Sequence, residues 1–89
     1  MAEQSQDLAG LVESIVRPLI DHEDELVITS SIDDNGSNII EIEVNEEDAG
    51  KVIGRQGRVI KSIRTLARAA ASRNGMHVEV EILDRKSVV

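Results

Sequence analysis

Two glycines, Gly54 and Gly57, flank the polar pair Arg55-Gln56 between two apolar, helix-forming stretches. Glycine lacks a Cβ, so it permits a tight turn and a close approach of the backbone to a ligand. The start of a helix attracts anions, because it carries unpaired N–H groups and the positive end of the helix dipole. A basic and polar pair in a turn that opens a helix therefore predicts a phosphate-binding loop.

Charge is distributed unevenly around this loop. The 89-residue chain has a net charge of −7, which by itself argues against nucleic acid as a partner. Residues 1–50 contain fourteen acids and one base, whereas residues 51–78 contain seven bases and no acid. Such asymmetry in a small domain indicates one electropositive face. A charge run of this kind is also typical of a solvated helix whose bases pair with acids elsewhere.

The helix that follows the loop places its bases on one side. At about 100° per residue, the bases from Arg58 to Arg68 fall within roughly 120° of one another and apart from the apolar positions. Arg64, Arg68 and Arg73 are as well suited to solubilising the helix or pairing with acids. Val52, Ile53 and Ile60 are candidates for either ligand contact or the core. The predicted phosphate-binding residues are Lys51, Gly54, Arg55, Gln56, Gly57, Arg58 and Lys61.

Composition argues against an enzyme. The chain has no cysteine and only two histidines, which are far apart in sequence, so neither a disulfide nor a metal site is expected. Gly50-x-x-x-Gly54-x-x-Gly57 lacks the Gly-Lys-Ser/Thr ending of a P-loop and follows a helix instead of a strand. No credible pair of nucleophile and base is present. We therefore expect no catalytic residues, no cofactor and no small-molecule substrate.

The N-terminus is polar and acidic, and it lacks the basic and apolar regions of a secretory signal. No apolar run approaches the length that spans a bilayer. These features predict a soluble, cytoplasmic protein without a membrane partner.

Hydrophobic periodicity predicts six elements in the order α-β-β-α-α-β. Asp7 is the expected N-cap of the first helix, and Pro18 is expected to end or kink it. Gly54 is expected to close the second helix in the left-handed conformation. The predicted segments are a helix over 7–20, strands over 26–32 and 38–45, a short helix ending at 53 with acids 46–48 in its first turn, a helix over 57–74 and a strand over 77–83.

Three amphipathic helices can cover one face of a three-stranded sheet, which gives an α+β, two-layer α/β sandwich. With no Phe, Tyr or Trp, the core must consist of Ile, Val, Leu and Ala. We expect a single domain over residues 1–84 and a frayed tail over 85–89.

The loop and its flanks are similar to the Ile-Gly-x-x-Gly-x-x-Ile signature of KH domains, and the element order resembles the type II KH topology. The run that precedes and includes the loop further resembles the bacterial single-KH proteins of the KhpA family. Pro18 departs from the ordinary helix former expected at its position. The matching residues are Glu46-Glu47-Asp48-Ala49-Gly50-Lys51-Val52-Ile53-Gly54-Arg55-Gln56-Gly57-Arg58, then Val59-Ile60, Ile63-Arg64-Thr65-Leu66 and Ala69-Ala70-Ala71.

The resemblance implies binding of single-stranded RNA, with bases in a groove between the loop–helix edge and the second strand. It also implies an RNA chaperone that forms a homodimer, or a heterodimer with a larger KH-containing protein (KhpB, also called Jag), and that affects cell elongation and cell-wall homeostasis. Without aromatic residues for stacking, affinity would rest on phosphates, so binding should be weak and salt-dependent. The alternative is a protein-interaction module in which the Gly-x-x-Gly loop is only structural.

Overall fold

A computed structural model of the protein describes the backbone of residues 2–84 and the side chains of residues 8–83. The predicted order α-β-β-α-α-β is confirmed, and the frayed tail predicted for 85–89 lies outside the described residues. The helices are α1 (Ala2–Val16), α2 (Glu46–Ile53) and α3 (Arg58–Arg73), and the strands are β1 (Val27–Ile32), β2 (Asn38–Val44) and β3 (Val78–Asp84).

Helix α1 begins earlier than predicted. Its first residue is Ala2, so Asp7 lies inside the helix and its assignment as the N-cap is wrong. The residues before Asp7 include Ala, Glu and Gln, which are good helix formers, and nothing in them stops the helix. The effect expected of Pro18 is confirmed, because α1 ends at Val16 and a 3₁₀ turn, Arg17–Leu19, follows it.

The three strands form one mixed sheet in the order β1-β2-β3. β1 runs antiparallel to β2, and β2 runs parallel to β3. The predicted alternation is confirmed in β2, where Ile40, Ile42 and Val44 are buried and the residues between them are partly exposed. β2 is therefore the central strand, and its inner face forms the floor of the core.

The core lies between this sheet and the helices. Helix α3 contributes Ile60, Ile63, Ala67 and Ala71, all of which are buried. The helical spacing of the apolar residues in α3 predicts that Leu66 belongs to this buried face, but its side chain is 51% exposed. At about 100° per residue it points away from Ala67 by about 100°, which places it at the margin of the buried face. This correction leaves a large apolar side chain on the outer side of α3.

Helix α2 begins with a side-chain N-cap that the sequence analysis did not predict. The Asn45 side chain accepts a hydrogen bond of 2.8 Å from the backbone N–H of Glu47. The first turn contains the three predicted acids, which the helix dipole favours. Because the cap fixes where α2 begins, it also helps to fix where α2 ends and the Gly-x-x-Gly loop begins.

Candidate nucleic-acid interface

The loop between α2 and α3 contains three residues with positive φ, namely its two glycines and Gln56. Gly54 has φ 79° and ψ 173°, so its positive φ fits the prediction but the left-handed helical conformation does not. That region of backbone space is open essentially only to glycine. The left-handed residues are instead Gln56 (φ 57°, ψ 25°) and Gly57 (φ 74°, ψ 16°). A single 3₁₀ turn, Arg55–Gly57, thus connects α2 to α3.

Gly54 is required by packing within the protein as well as by its dihedral angles. A Cβ built at this position would lie 2.4 Å from Val59 Cγ2 and 2.9 Å from the backbone nitrogen of Val59. A Cβ at Gly57 would meet nothing within 4 Å. Because Gly54 has no side chain, the end of α2 can pack directly against the first turn of α3. This contact holds the two ends of the loop together.

Several backbone amides of the loop are used internally. The Gly57 N–H donates to the Gly54 carbonyl at 3.1 Å, and the Arg58 N–H donates to the Arg55 carbonyl. The expectation that the amides after Gly57 are unpaired is therefore wrong for Arg58. The 3₁₀ turn uses that donor before α3 begins, so the exposed side chains and the helix dipole are the remaining features of the loop that would attract an anion.

The long side chains of the loop project into solvent. Arg55, Gln56, Arg58 and Lys61 are all exposed. Arg58 Nη2 donates to Gln56 Oε1 at 3.2 Å, which draws the guanidinium toward the loop tip. A shallow groove of about 590 Å³ continues along the outer side of α3 and is lined by Arg58, Lys61, Ser62, Thr65 and Leu66.

Lys51 faces acidic partners. Its Nζ atom forms an ion pair with Asp21 Oδ2 and lies 3.4 Å from Asp48 Oδ1. The hydrogen bond to Asp21, opposed by burial and supported by Asp48, raises the pKa of Lys51 above its ordinary value. Lys51 therefore joins α2 to the segment that follows α1.

Asp48 is the centre of that link, and its carboxylate is fully buried. It accepts hydrogen bonds from the backbone N–H groups of Asp21 at 3.0 Å and His22 at 2.9 Å. Burial favours the neutral acid, but these two bonds and Lys51 outweigh it and hold the pKa of Asp48 below 3.8. Because the folded-state pKa is depressed, this contribution to stability is present above pH 3.8 and is lost as the pH falls through the folded value.

The contacts between α2 and the segment that follows α1 have a second dependence on pH, which comes from His22. Its Nε2 atom lies 2.9 Å from Glu47 Oε1, and its Nδ1 atom lies 3.8 Å from Glu25 Oε2. The hydrogen bond to Glu47 raises the pKa of His22 above 6.5. Partial burial opposes this shift, and the negative charges of Asp48, Glu47 and Glu25 support it. Its stabilising effect is complete below pH 6.5 and disappears as the pH rises through the folded value.

We expect His22→Gln to flatten the dependence of stability on pH in that interval. The wild type should lose unfolding free energy between about pH 6 and about pH 8, and the variant should lose less, because Gln cannot be protonated. Urea denaturation at both pH values measures this difference. His77→Gln is the matched control and should keep the wild-type dependence. Equal slopes for the wild type and His22→Gln would contradict the assignment.

Two further bases of α3, Arg64 and Arg68, lie against β3. Arg64 Nε donates to the Val80 carbonyl at 3.0 Å, and Arg68 Nη2 lies 3.8 Å from Glu79 Oε1. The strand beside this part of α3 is therefore β3, an edge strand. The groove expected between the loop–helix edge and the second strand stays a prediction.

The apolar residues near the loop serve the core. Val52 is fully buried and Ile60 is 6% exposed, while Ile53 is partly buried against the same cluster. This supports the core interpretation for all three. Among the described side chains, those of residues 8–83, no group of three or more His, Cys, Asp or Glu is arranged to hold a metal ion. None of the helices described within residues 2–84 has the length and apolar character needed to cross a membrane.

Solved structures share this fold. The chain superposes on Era from Aquifex aeolicus bound to GDP·AlF4− with a TM-score of 0.54 and 18% identity, covering 91% of this chain and 32% of that one. It also superposes on Era in complex with MgGDPNP and nucleotides 1506–1542 of 16S ribosomal RNA, with a TM-score of 0.55 and 19% identity, covering 89% and 31%. This chain spans about a third of Era, and the likeness concerns the fold alone.

The element order, the mixed three-stranded sheet and the Gly-x-x-Gly turn between two helices define a KH domain. The family model described as "KhpA/KhpB, KH domain" matches residues 9–82. The RNA-binding protein KhpA of Borreliella burgdorferi is 45% identical over 83% of this chain and 89% of its own length. KhpA of Listeria monocytogenes is also 45% identical, over 83% of this chain and 96% of its own. The chain belongs to the KhpA family of single-KH-domain RNA-binding proteins.

Proposed function

We propose that this protein binds single-stranded RNA through the Gly54–Gly57 loop and the first turn of α3. The observation that carries the proposal is the exposed cluster of Arg55, Arg58 and Lys61 at a loop whose backbone is held closed from within. Gln56 adds a polar group that is already hydrogen-bonded to Arg58. Gly54 and Gly57 supply the shape of the turn and leave its tip unobstructed for a phosphate chain.

The distribution of charge on the rest of the molecule favours binding of RNA at the loop and α3. The outer face of the sheet carries glutamates, and Glu41 is the register partner of Glu81 on the neighbouring strand. The first turn of α2 contains three more acids. An RNA strand is repelled by these surfaces and attracted to the loop and α3, so the acidic remainder guides the strand to one side of the domain.

Lys51 contributes to this function from within the protein. Its ammonium group bridges Asp21 and Asp48, so contact with RNA would require at least one of these ion pairs to open. We assign Lys51 to positioning of α2 relative to the preceding segment. The direct phosphate contacts are assigned to Arg55, Gln56, Arg58 and Lys61.

Titration of single-stranded RNA oligomers over a series of salt concentrations tests the proposal. If Lys61 contacts a phosphate, Lys61→Ala should lower the slope of log affinity against log salt by about 1. Fluorescence anisotropy measures the affinities, and ATP serves as the competing ligand for a nucleotide-binding enzyme. Arg73→Ala, at the far end of α3, is the matched control. An unchanged slope would assign Lys61 to the solvated face, and absence of RNA binding by the wild type would overturn the proposal.

The cellular role that we propose is that of a cytoplasmic RNA chaperone. It acts as a homodimer, or with a larger KH-containing protein of the KhpB (Jag) type, and affects cell elongation and cell-wall homeostasis. The support is family membership and the physical need for a second site. A single loop with three exposed cations and no aromatic platform binds weakly, and a linked second KH domain raises the avidity.

A protein-interaction module is the second candidate, and one observation favours it as an additional role. Leu66 is 51% exposed beside Ser62 and Thr65, in the groove on the outer side of α3. An exposed leucine next to a basic strip suits a protein contact as well as a nucleobase. A variant that loses RNA binding but keeps its oligomeric state would separate the two roles.

A further inference from the structure

A second cleft lies between the C-terminal half of α3 and the start of β3. Its volume is about 270 Å³, and it is separate from the groove beside the loop. Its lining combines apolar, basic, acidic and hydroxyl groups within a small space. The residues that line it are Arg68, Ser72, Met76, His77, Val78 and Glu79.

The strand side of this cleft is firmly anchored. The His77 carbonyl accepts hydrogen bonds from the Asn38 backbone N–H at 2.9 Å and from Asn38 Nδ2 at 3.1 Å. Asn38 itself is only 2% exposed. On the helix side, Arg64 ties α3 to the Val80 carbonyl. The two walls are therefore held at a fixed separation by contacts on β2 and β3, and the cleft is a preformed feature of the fold.

Arg68 and Glu79 present a cation and an anion side by side at the mouth of the cleft. Their nearest atoms lie 3.8 Å apart, and both side chains are more than half exposed. An exposed pair at this distance contributes little to stability, so it opens at small cost. The guanidinium and the carboxylate are then available as a donor group and an acceptor group for a ligand that offers both kinds of atom on adjacent positions.

Guanine is the base that uses both groups most fully. Its N1–H and N2–H₂ groups can donate together to a carboxylate, and its O6 and N7 atoms can accept together from a guanidinium. Adenine and uracil each offer a carboxylate only one donor position, and cytosine offers only its N4 amino group. The apolar side chains of Met76 and Val78 provide a surface for the flat base.

The position of the cleft fits an RNA strand that starts at the loop. Arg68 lies ten residues after Arg58, which is about 15 Å along the helix axis. A KH loop clamps about four nucleotides of backbone, so a strand that runs along the α3–β3 edge reaches the cleft within the same site. We propose that this cleft is a guanine-selective subsite of the RNA-binding surface, with Glu79 and Arg68 as its specificity-determining residues. This inference rests on the proposed function.

A set of uridine hexamers that carry one guanosine, moved through each position in turn, tests the subsite by fluorescence anisotropy. One position of guanosine should tighten binding about tenfold relative to the all-uridine hexamer, which is the discrimination of a good bidentate contact. Inosine at that position removes the N2 amino group and should lose most of the gain. Adenosine and cytidine there should bind like uridine.

Glu79→Gln should remove most of the guanosine preference, measured as the ratio of the affinities for the guanosine-containing and all-uridine hexamers. Glu81→Gln is the matched control, because it makes the same change of charge two residues along β3, outside the cleft. Its ratio of affinities for guanosine and uridine hexamers should equal that of the wild type.

Three results would overturn the inference in distinguishable ways. Equal affinity for every hexamer, together with loss of binding in loop variants, would reject the guanine subsite and leave the proposed function standing. Absence of binding to any hexamer would reject both. A guanosine preference that survives unchanged in Glu79→Gln would also reject the assignment of the cleft.

Discussion

Replacing Arg55 and Gln56 together by aspartate should abolish the binding of single-stranded RNA by this KH domain while leaving its fold intact. Both side chains are exposed at the loop tip. The double substitution changes the local charge by −3, so it turns an attraction for phosphate into a repulsion. Like charges placed in contact cost several kcal/mol, and a loss of about 3 kcal/mol already weakens affinity by about 100-fold.

The backbone should tolerate this change. Gln56 has left-handed dihedral angles, φ 57° and ψ 25°, and aspartate adopts that region more readily than most residues. Circular dichroism and a urea denaturation curve should match those of the wild type. Sedimentation velocity should show the wild-type oligomeric state, which would separate RNA binding from self-association.

A control variant with the same charge change placed elsewhere isolates the role of the loop. Arg73→Asp combined with Asn35→Asp also shifts the net charge by −3, at the end of α3 and in the β1–β2 turn. Both residues are exposed, and Asp-Gly is as good a turn former as Asn-Gly. The control should lose only a small part of the affinity. Equal losses in the two variants would show that net charge, and not the loop, governs RNA binding.

The local features of this fold could be predicted from the sequence because neighbouring residues determine them. Alternation in β2 predicted the burial of Ile40 and Ile42, and Pro18 predicted the end of α1. The loop was found because Gly54 and Gly57 interrupt two apolar segments in the longest acid-free stretch of the chain. Each of these features depends on residues within one or two turns of the chain.

The features that the sequence did not reveal depend on contacts between distant residues. Lys51 lies 30 residues from Asp21, and nothing in the sequence pairs their side chains. The bond between Arg64 and the Val80 carbonyl likewise exists only once α3 lies against β3. The sequence could therefore name the basic residues of the candidate site. It could not show which of them are occupied by partners within the protein.

Glycine is required at position 54 both by its local backbone conformation and by its packing against Val59. Gly54→Ala should therefore lower the stability of the protein more than any other single methyl addition in the loop. The alanine Cβ would lie 2.8 Å from Val59 Cβ and 2.9 Å from the Val59 backbone nitrogen. Adding a methyl group to a packed site costs about 1–3 kcal/mol. The backbone conformation of Gly54 adds about 1–3 kcal/mol for a residue with a side chain. We expect unfolding free energy to fall by about 3 kcal/mol or more, which is a large part of the stability of a small domain.

Two further alanine substitutions are matched to this one by size. Gly50→Ala lies four residues earlier in α2, where a Cβ meets nothing within 4 Å, and it should stabilise the helix by about 0.5–1 kcal/mol. Gly57→Ala also has open space, but its φ of 74° should cost about 1–2 kcal/mol. Urea denaturation should therefore give the highest unfolding free energy for Gly50→Ala, an intermediate value for Gly57→Ala and the lowest value for Gly54→Ala.

The clash with the Val59 backbone nitrogen is not removed by shortening the Val59 side chain, so Val59→Ala should not restore the stability of Gly54→Ala. Full recovery in that double variant would show that side-chain crowding alone, and not the approach of the two helix backbones, requires glycine at this position.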